Sequence, residues 1–223
     1  MIIEKYNIRL RSLNTPDLEM VREARNSDYI RSRMMYQNII SPEQQLQWYR
    51  SLDPAGDVFM IIEYGGKPRG MINVKNIDYK NDSSESGVFF WDREVLQSFV
   101  PVMTSWLAAE SGYLLLGGQQ TLIHVLKNNK TAIEFNQSQG YKIIQDDGDV
   151  VLMRQTRNSF SQATLPDRMK YIRTNDAGSH LMLSFGDHEQ DGFRQTNLMN
   201  YLQILGVSPV RQSGRTFWFE VAF

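Results

Sequence analysis

Residues 125–141 read VLKNNKTAIEFNQSQGY. Val125 and Leu126 close the apolar run that starts at Thr121, and a branched run of this length predicts a strand. The polar stretch after it predicts a short helix that stops at Gly140 and then delivers the aromatic Tyr141. Tyr141–Ile144 and Val150–Arg154 read as two further strands closing a sheet.

Working outward, Gly112 is a C′ residue for a helix whose apolar stripe is Phe99, Met103, Trp106, Leu107 and Ala109. Before it, Val58–Tyr64 and Arg69–Lys75 predict a hairpin turned by Gly65-Gly66, and Glu85–Trp91 a strand. Ser41-Pro42-Glu43-Gln44 has the spacing of a capping box, and Leu46 and Trp48-Tyr49 supply the apolar side of its helix. Asp28 to Met35 predicts another helix. Thr15-Pro16-Asp17 predicts an N-cap and helix start, and Tyr6–Ser12 the first strand. Residues 1–155 thus form one mixed α/β unit. Gln155–Pro166 has the composition of a linker. Strands at 179–185 and 216–222 around a helix over 194–205 make a small C-terminal α+β domain, 156–223, marginal by itself and expected to pack on the first unit or on a second subunit.

The 223 residues carry 24 basic and 25 acidic side chains, with 41% hydrophobic and 22% charged residues, an ordinary globular balance. No excess of one sign points to nucleic acid or an anionic membrane. No apolar run reaches the roughly 20 residues of a membrane span, and the opening MIIEKYNIRL lacks the apolar core of a signal peptide, so a cytoplasmic protein is expected. Without cysteine there is no disulfide, thiolate nucleophile or thiolate metal ligand. Asp187-His188-Glu189 with Asp191 lacks the spacing of a metal site and reads as a polar loop, so no metal is expected.

The element order, together with Ile8-Arg9-Leu10-Arg11, Arg25-Asn26, the Ser41 capping box, Trp48-Tyr49, Gly70 and Glu85-Ser86-Gly87, resembles the GCN5-related N-acetyltransferase (GNAT) superfamily, nearest its amino-sugar and ribosomal-protein branches. Val125, Asn129, Ala132-Ile133, Gly140 and Tyr141 match that family's "V-x-x-x-N-x-x-A-x-x-x-Y-x-x-x-G-F" in order. The resemblance spans about 150 residues. It implies a mostly antiparallel sheet flanked by helices, acetyl-CoA as co-substrate, and acetyl transfer to an amine.

Carried over by position, it implies coenzyme contacts at Phe89, Phe90, Trp91, Arg93, Gln97, Ser98, Asn129 and Ala132. Arg25, Arg33, Met35 and Tyr36 fall where the acceptor pocket is built, and an apolar floor with arginines suits a nucleotide-linked amino sugar. Ordinary helix packing with surface arginines explains the same residues. Glu85 is the first candidate base, otherwise a solvated strand-end carboxylate. His124 is the second, since histidine titrates near neutrality, otherwise a hydrogen-bonded strand residue.

Two positions depart from the pattern. Leu96 stands where the phosphate loop has glycine, and Glu94 adds a negative charge there. Asn136 stands where many relatives have the tyrosine that protonates the leaving thiolate, and an amide gives up no proton at neutral pH. The expected function is N-acetylation of a small-molecule amine, with homodimer formation left open. Alternatives are a GNAT-fold binding or regulatory module, or an acyltransferase using a carrier-protein-linked donor.

Overall fold

Tyr6 and Asn7 both take left-handed backbone angles, φ 58° and 60°, which turns the chain through a two-residue hairpin. A computed structural model describes residues 1–54, 56–78, 80–175, 180–187 and 189–221. His188, and residues 179 and 222 at the ends of two expected strands, lie outside the described residues. The hairpin joins β1 (Ile2–Lys5) to β2 (Ile8–Ser12), so the first expected strand starts two residues later and has a partner ahead of it. Tyrosine is unusual at positive φ. Its ring is held edge-on to Trp106 and Tyr171, each at 5.7 Å, and its hydroxyl donates to Glu110 at 2.6 Å.

A 3-10 turn, Thr15–Asp17, leads into α1 (Leu18–Asn26). The capping residue is Asn14 and not Thr15: the Asp17 carboxylate accepts from the Asn14 N–H at 2.9 Å and is gripped by both terminal nitrogens of Arg11 at 2.6 and 2.7 Å. Next come α2 (Asp28–Arg31), α3 (Pro42–Ser51), β3 (Val58–Tyr64), β4 (Lys67–Asp78) and β5 (Ser83–Phe90). The helix expected to Met35 ends at Arg31, because the residues after it have no core to pack on: Met35 and Tyr36 are exposed. Ser41 caps α3 as its spacing predicts, accepting from Gln44 N at 3.3 Å while Gln44 Oε1 accepts from Ser41 N at 2.8 Å. Gly65 and Gly66, at φ 60° and 72°, turn β3 into β4.

After β5 lie α4 (Arg93–Leu96) and α5 (Val100–Ala109), which runs on as a π-helical segment, Glu110–Leu115. Gly112 is inside that segment, so it does not terminate the helix. Then follow β6 (Gln120–Leu126), α6 (Lys130–Ser138), β7 (Lys142–Asp147), β8 (Val150–Thr156), α7 (Arg157–Asn175), β9 (His180–Ser184), α8 (Glu189–Ile204), β10 (Arg211–Ser213) and β11 (Thr216–Glu220). The expected linker is therefore mostly helix. Its buried stripe is Phe160, Thr164 and Arg168 at a four-residue spacing, and two of these three are polar, which hides the helical period.

The strands form one sheet in the order β10-β11-β9-β1-β2-β3-β4-β5-β6-β8-β7. Every described pairing is antiparallel except β5 with β6. Alternation along β3 separates the two faces: Met60 and Ile62 join α5, α7 and α8 in one core, whereas Ile61 packs with α1 and α3. Strands β9, β11 and β10 lengthen the sheet, with β9 paired to β1.

The opening stretch closes α6 with Gly140 at φ 93°, its N–H on Gln137 O at 3.0 Å and the Tyr141 N–H on Asn136 O at 3.0 Å. This is the paired C-terminal bonding that glycine makes available. A Cβ at Gly140 would stand 2.5 Å from Ser159 O. Left-handed strain alone costs roughly 1–2 kcal/mol, so Gly140→Ala is expected to lose at least about 2 kcal/mol in urea unfolding.

Candidate active site

The parallel pairing of β5 and β6 covers only Ser83 with Gln120, Ser84 with Thr121 and Glu85 with Leu122. Beyond Glu85 the strands part, while β5 stays bonded to β4 as far as Phe90 with Gly70. The β5 peptide groups that face away from β4 between Ser86 and Phe90 thus have no β6 ladder partner. Exposed strand edges of this kind bind an extended chain carrying amides.

Glu85 and His124 meet at the divergence point, with Glu85 Oε1 3.5 Å from His124 Nδ1. The same carboxylate takes Lys75 Nζ at 2.9 Å and Asn76 Nδ2 at 2.8 Å. Asn76 reaches it because β4 bulges between Lys75 and Asp78, with Asn76 at φ 52°, and a bulge re-aims a side chain in this way. Burial pushes the Glu85 carboxyl up, but the Lys75 and Asn76 hydrogen bonds and the Lys75 and His124 charges outweigh it and hold the group below the usual range. Neither Lys75 nor Asn76 stands out in the sequence; the signal for Asn76 is its tolerance of positive φ.

Strand alternation puts Glu85, Gly87 and Phe89 on the face covered by α1 and α3, since Phe89 packs in their cluster. There the Arg25 guanidinium lies 5.8 Å from the Phe89 ring centroid. Its Nε is buried without a hydrogen-bond partner, and burial pushes its pKa down. Asn26 clamps the α2–α3 loop through both amide atoms, to Ile40 O at 2.9 Å and Ile40 N at 2.8 Å. On that loop Met35 and Tyr36 are 57% and 47% exposed, so they form a rim and not a floor. Gln37 of the loop, with Leu126, Lys127, Asn128 and Asp149, lines a cavity of about 310 Å³. Asn73 adds a polar group that the sequence reading missed. A Cβ on Gly87 would come within 2.9 Å of its Oδ1, so the glycine makes room for the amide.

The residues placed against the coenzyme are scattered. Phe90 is core, and Trp91 donates its indole N–H to Pro68 O at 3.2 Å. Ser98 Oγ accepts from Val100 N at 3.2 Å and donates to Val95 O at 2.7 Å, and Gln97 is exposed at the end of α4. Asn129 caps α6 by accepting from Ala132 N at 3.3 Å. Arg93 and Arg33 both lie against Tyr29, 4.3 and 4.1 Å from its ring centroid. Asn136 turns its amide N–H back onto Ala132 O at 2.7 Å, which commits that donor to its own helix. At the start of α4 the Asp92 side chain, bonded to Arg69, accepts from Glu94 N at 3.0 Å. The parted strands therefore fit an extended pantetheine arm. At the phosphate loop two backbone donors, Glu94 N and Val100 N, are already taken by the Asp92 and Ser98 side chains, which narrows the backbone cradle. Among the described residues no cluster of His, Asp or Glu could hold a metal, and no helix is long and apolar enough to cross a membrane.

No protein-family model and no curated protein matches the sequence. Solved structures do match. Apo FdhC, described as a nucleotide-linked sugar GNAT, is 18% identical at a TM-score of 0.64, over 75% of this chain and 97% of its own. Spermidine N-acetyltransferase from Vibrio cholerae, in complex with CoA and spermine, is 17% identical at 0.61, over 69% and 98%. A domain from Methanocaldococcus jannaschii is 19% identical at 0.55, over 67% and 97%. Parted parallel strands within an otherwise antiparallel sheet, together with these matches, show that the chain has the GNAT acetyltransferase fold.

Proposed function

We propose that the chain is an acetyl-CoA-dependent N-acetyltransferase of a small-molecule amine, with a nucleotide-linked amino sugar as acceptor. The observation that carries the reading is the Glu85–His124 contact at the point where β5 and β6 part. The coenzyme thioester supplies the acetyl group. Glu85 stays ionised and orients His124, which takes the proton that the amine loses as its nitrogen bonds to the acetyl carbon. Unpaired β5 N–H groups stabilise the oxyanion. Asn136, its N–H on Ala132, is not the acid, so the departing thiolate takes a proton from solvent.

Arg25, unpaired over Phe89, supports an anionic acceptor, and exposed Met35 and Tyr36 support contact with a base. We place the enzyme in the cytoplasm, with residues 156–223 as an accessory domain on the β1 side. Asp92, capping α4, supports a second reading, a module that kept the fold without turnover, or one whose acyl donor is carrier-linked. Titration calorimetry with acetyl-CoA and CoA, followed by turnover on nucleotide-linked aminohexoses and spermidine, separates them. No binding up to millimolar ligand sinks the acetyltransferase. Binding without turnover favours the module. Asn136→Tyr is expected to keep or raise kcat, and complete loss would give Asn136 its own part in the cleft.

A further inference from the structure

Tyr29 of α2 has two guanidinium groups against its ring, Arg33 at 4.1 Å and Arg93 at 4.3 Å from the centroid. The two guanidinium carbons therefore lie within about 8.4 Å of each other, the sum of those distances. Like charges so placed repel. Arg11, Arg22, Arg31, Arg69 and Arg168 each have a carboxylate partner. Arg33 and Arg93 have none among the described residues, and Arg33 bonds only Tyr29 O at 2.7 Å and Ser32 Oγ at 3.5 Å. An exposed ring contact of this kind is weak. It positions the pair without neutralising it.

The pair sits where the α1–α3 layer meets the start of α4. Two backbone donors there are occupied and one is missing: Glu94 N is on Asp92, Val100 N is on Ser98, and Pro101 has no N–H. An anion arriving there meets two guanidinium forks and a reduced set of backbone donors. Each fork grips two oxygens of a phosphate, with N–O distances near 2.8 Å.

We propose that Arg33 and Arg93, positioned by Tyr29, form a side-chain clamp for a diphosphate. Two molecules of the proposed reaction can bring that group, CoA and a nucleoside-diphosphate-linked acceptor, so the clamp rests on the acetyltransferase reading for its ligand. The test is titration calorimetry of the full chain with two matched pairs, CoA against pantetheine and UDP against uridine. In the wild type the diphosphate member of at least one pair is expected to bind about tenfold more tightly or better. That advantage disappears in Arg33→Ala, Arg93→Ala and Tyr29→Ala and persists in Tyr29→Phe. Arg33→Lys and Arg93→Lys, which keep charge but lose the fork, replace any alanine variant that does not fold, and are expected to lose most of it. The pair that shows the advantage identifies the source. Equal binding within both pairs, or an advantage that survives both arginine substitutions, overturns the clamp. Diphosphate binding without acetylation of any amine would sink the reading of the cleft and leave the clamp standing.

Discussion

Glu110→Ala is expected to destabilise the protein by about 3–5 kcal/mol, the cost of removing one partner from a buried ion pair. Glu110 is fully buried where α5 passes into its π-helical segment, and three side chains converge on it: Lys5 Nζ at 2.8 Å, Tyr6 OH at 2.6 Å and Arg168 at 2.7 Å. Those partners come from the first hairpin and from α7, so a single carboxylate ties both to the end of α5. Lys5 and Arg168 are themselves buried. Without Glu110 both cations stay in the interior with no counter-charge from that position. In a chain of this length the loss corresponds to a melting temperature lower by roughly 10 °C or more.

The variants within the cluster should rank. Burial, ahead of the opposing Glu110 charge, pushes the Lys5 pKa down. Lys5→Met leaves Glu110 with Arg168 and Tyr6, so it should cost less than Glu110→Ala. Because folded Lys5 binds its proton less readily than unfolded Lys5, stability from this group rises as pH climbs from the depressed folded value toward the ordinary lysine value of about 10.4. Glu110→Ala depresses that value further and should regain part of its loss as pH rises toward the ordinary lysine value. Equal losses for the two variants, or no alkaline recovery, would mean that water screens the cluster.

This cluster also marks what sequence can carry. The stretch 125–141 is legible because each of its signals is local: a strand, a cap at Asn129, a helix, and a glycine whose positive φ ends it. The Gly65-Gly66 hairpin and the Ser41 capping box are local in the same sense. The Tyr6-Asn7 turn is not, since Tyr6 at positive φ is held by contacts distant in sequence, its ring by Trp106 and Tyr171 and its hydroxyl by Glu110, 104 residues away. Nor is α7, whose stripe is completed by an arginine buried for the same carboxylate. In the site, Glu85 and His124 are each readable as candidate bases. That they touch depends on a parallel pairing three residues long. The loss of two phosphate-loop donors is a matter of where Asp92 and Ser98 aim their oxygens, which no motif records.

Replacing His124 should then be the most damaging change to turnover. His124→Ala is expected to lower kcat by about 10²–10⁴-fold, the usual contribution of a general base, with little change in the KM for acetyl-CoA, because His124 is on the face covered by the α1–α3 layer. Glu85→Gln should cost less, about tenfold, as the loss of one charge-assisted contact. The order follows from the Glu85 environment: a carboxylate held below its usual range by Lys75 and Asn76 is a poor proton acceptor but a permanent negative charge. If Glu85 were itself the base, acting through water, the ranking would invert: Glu85→Gln would abolish turnover and His124→Ala would leave most of it. Steady-state kcat values of the two variants distinguish the assignments, since only one of them lets the histidine variant survive.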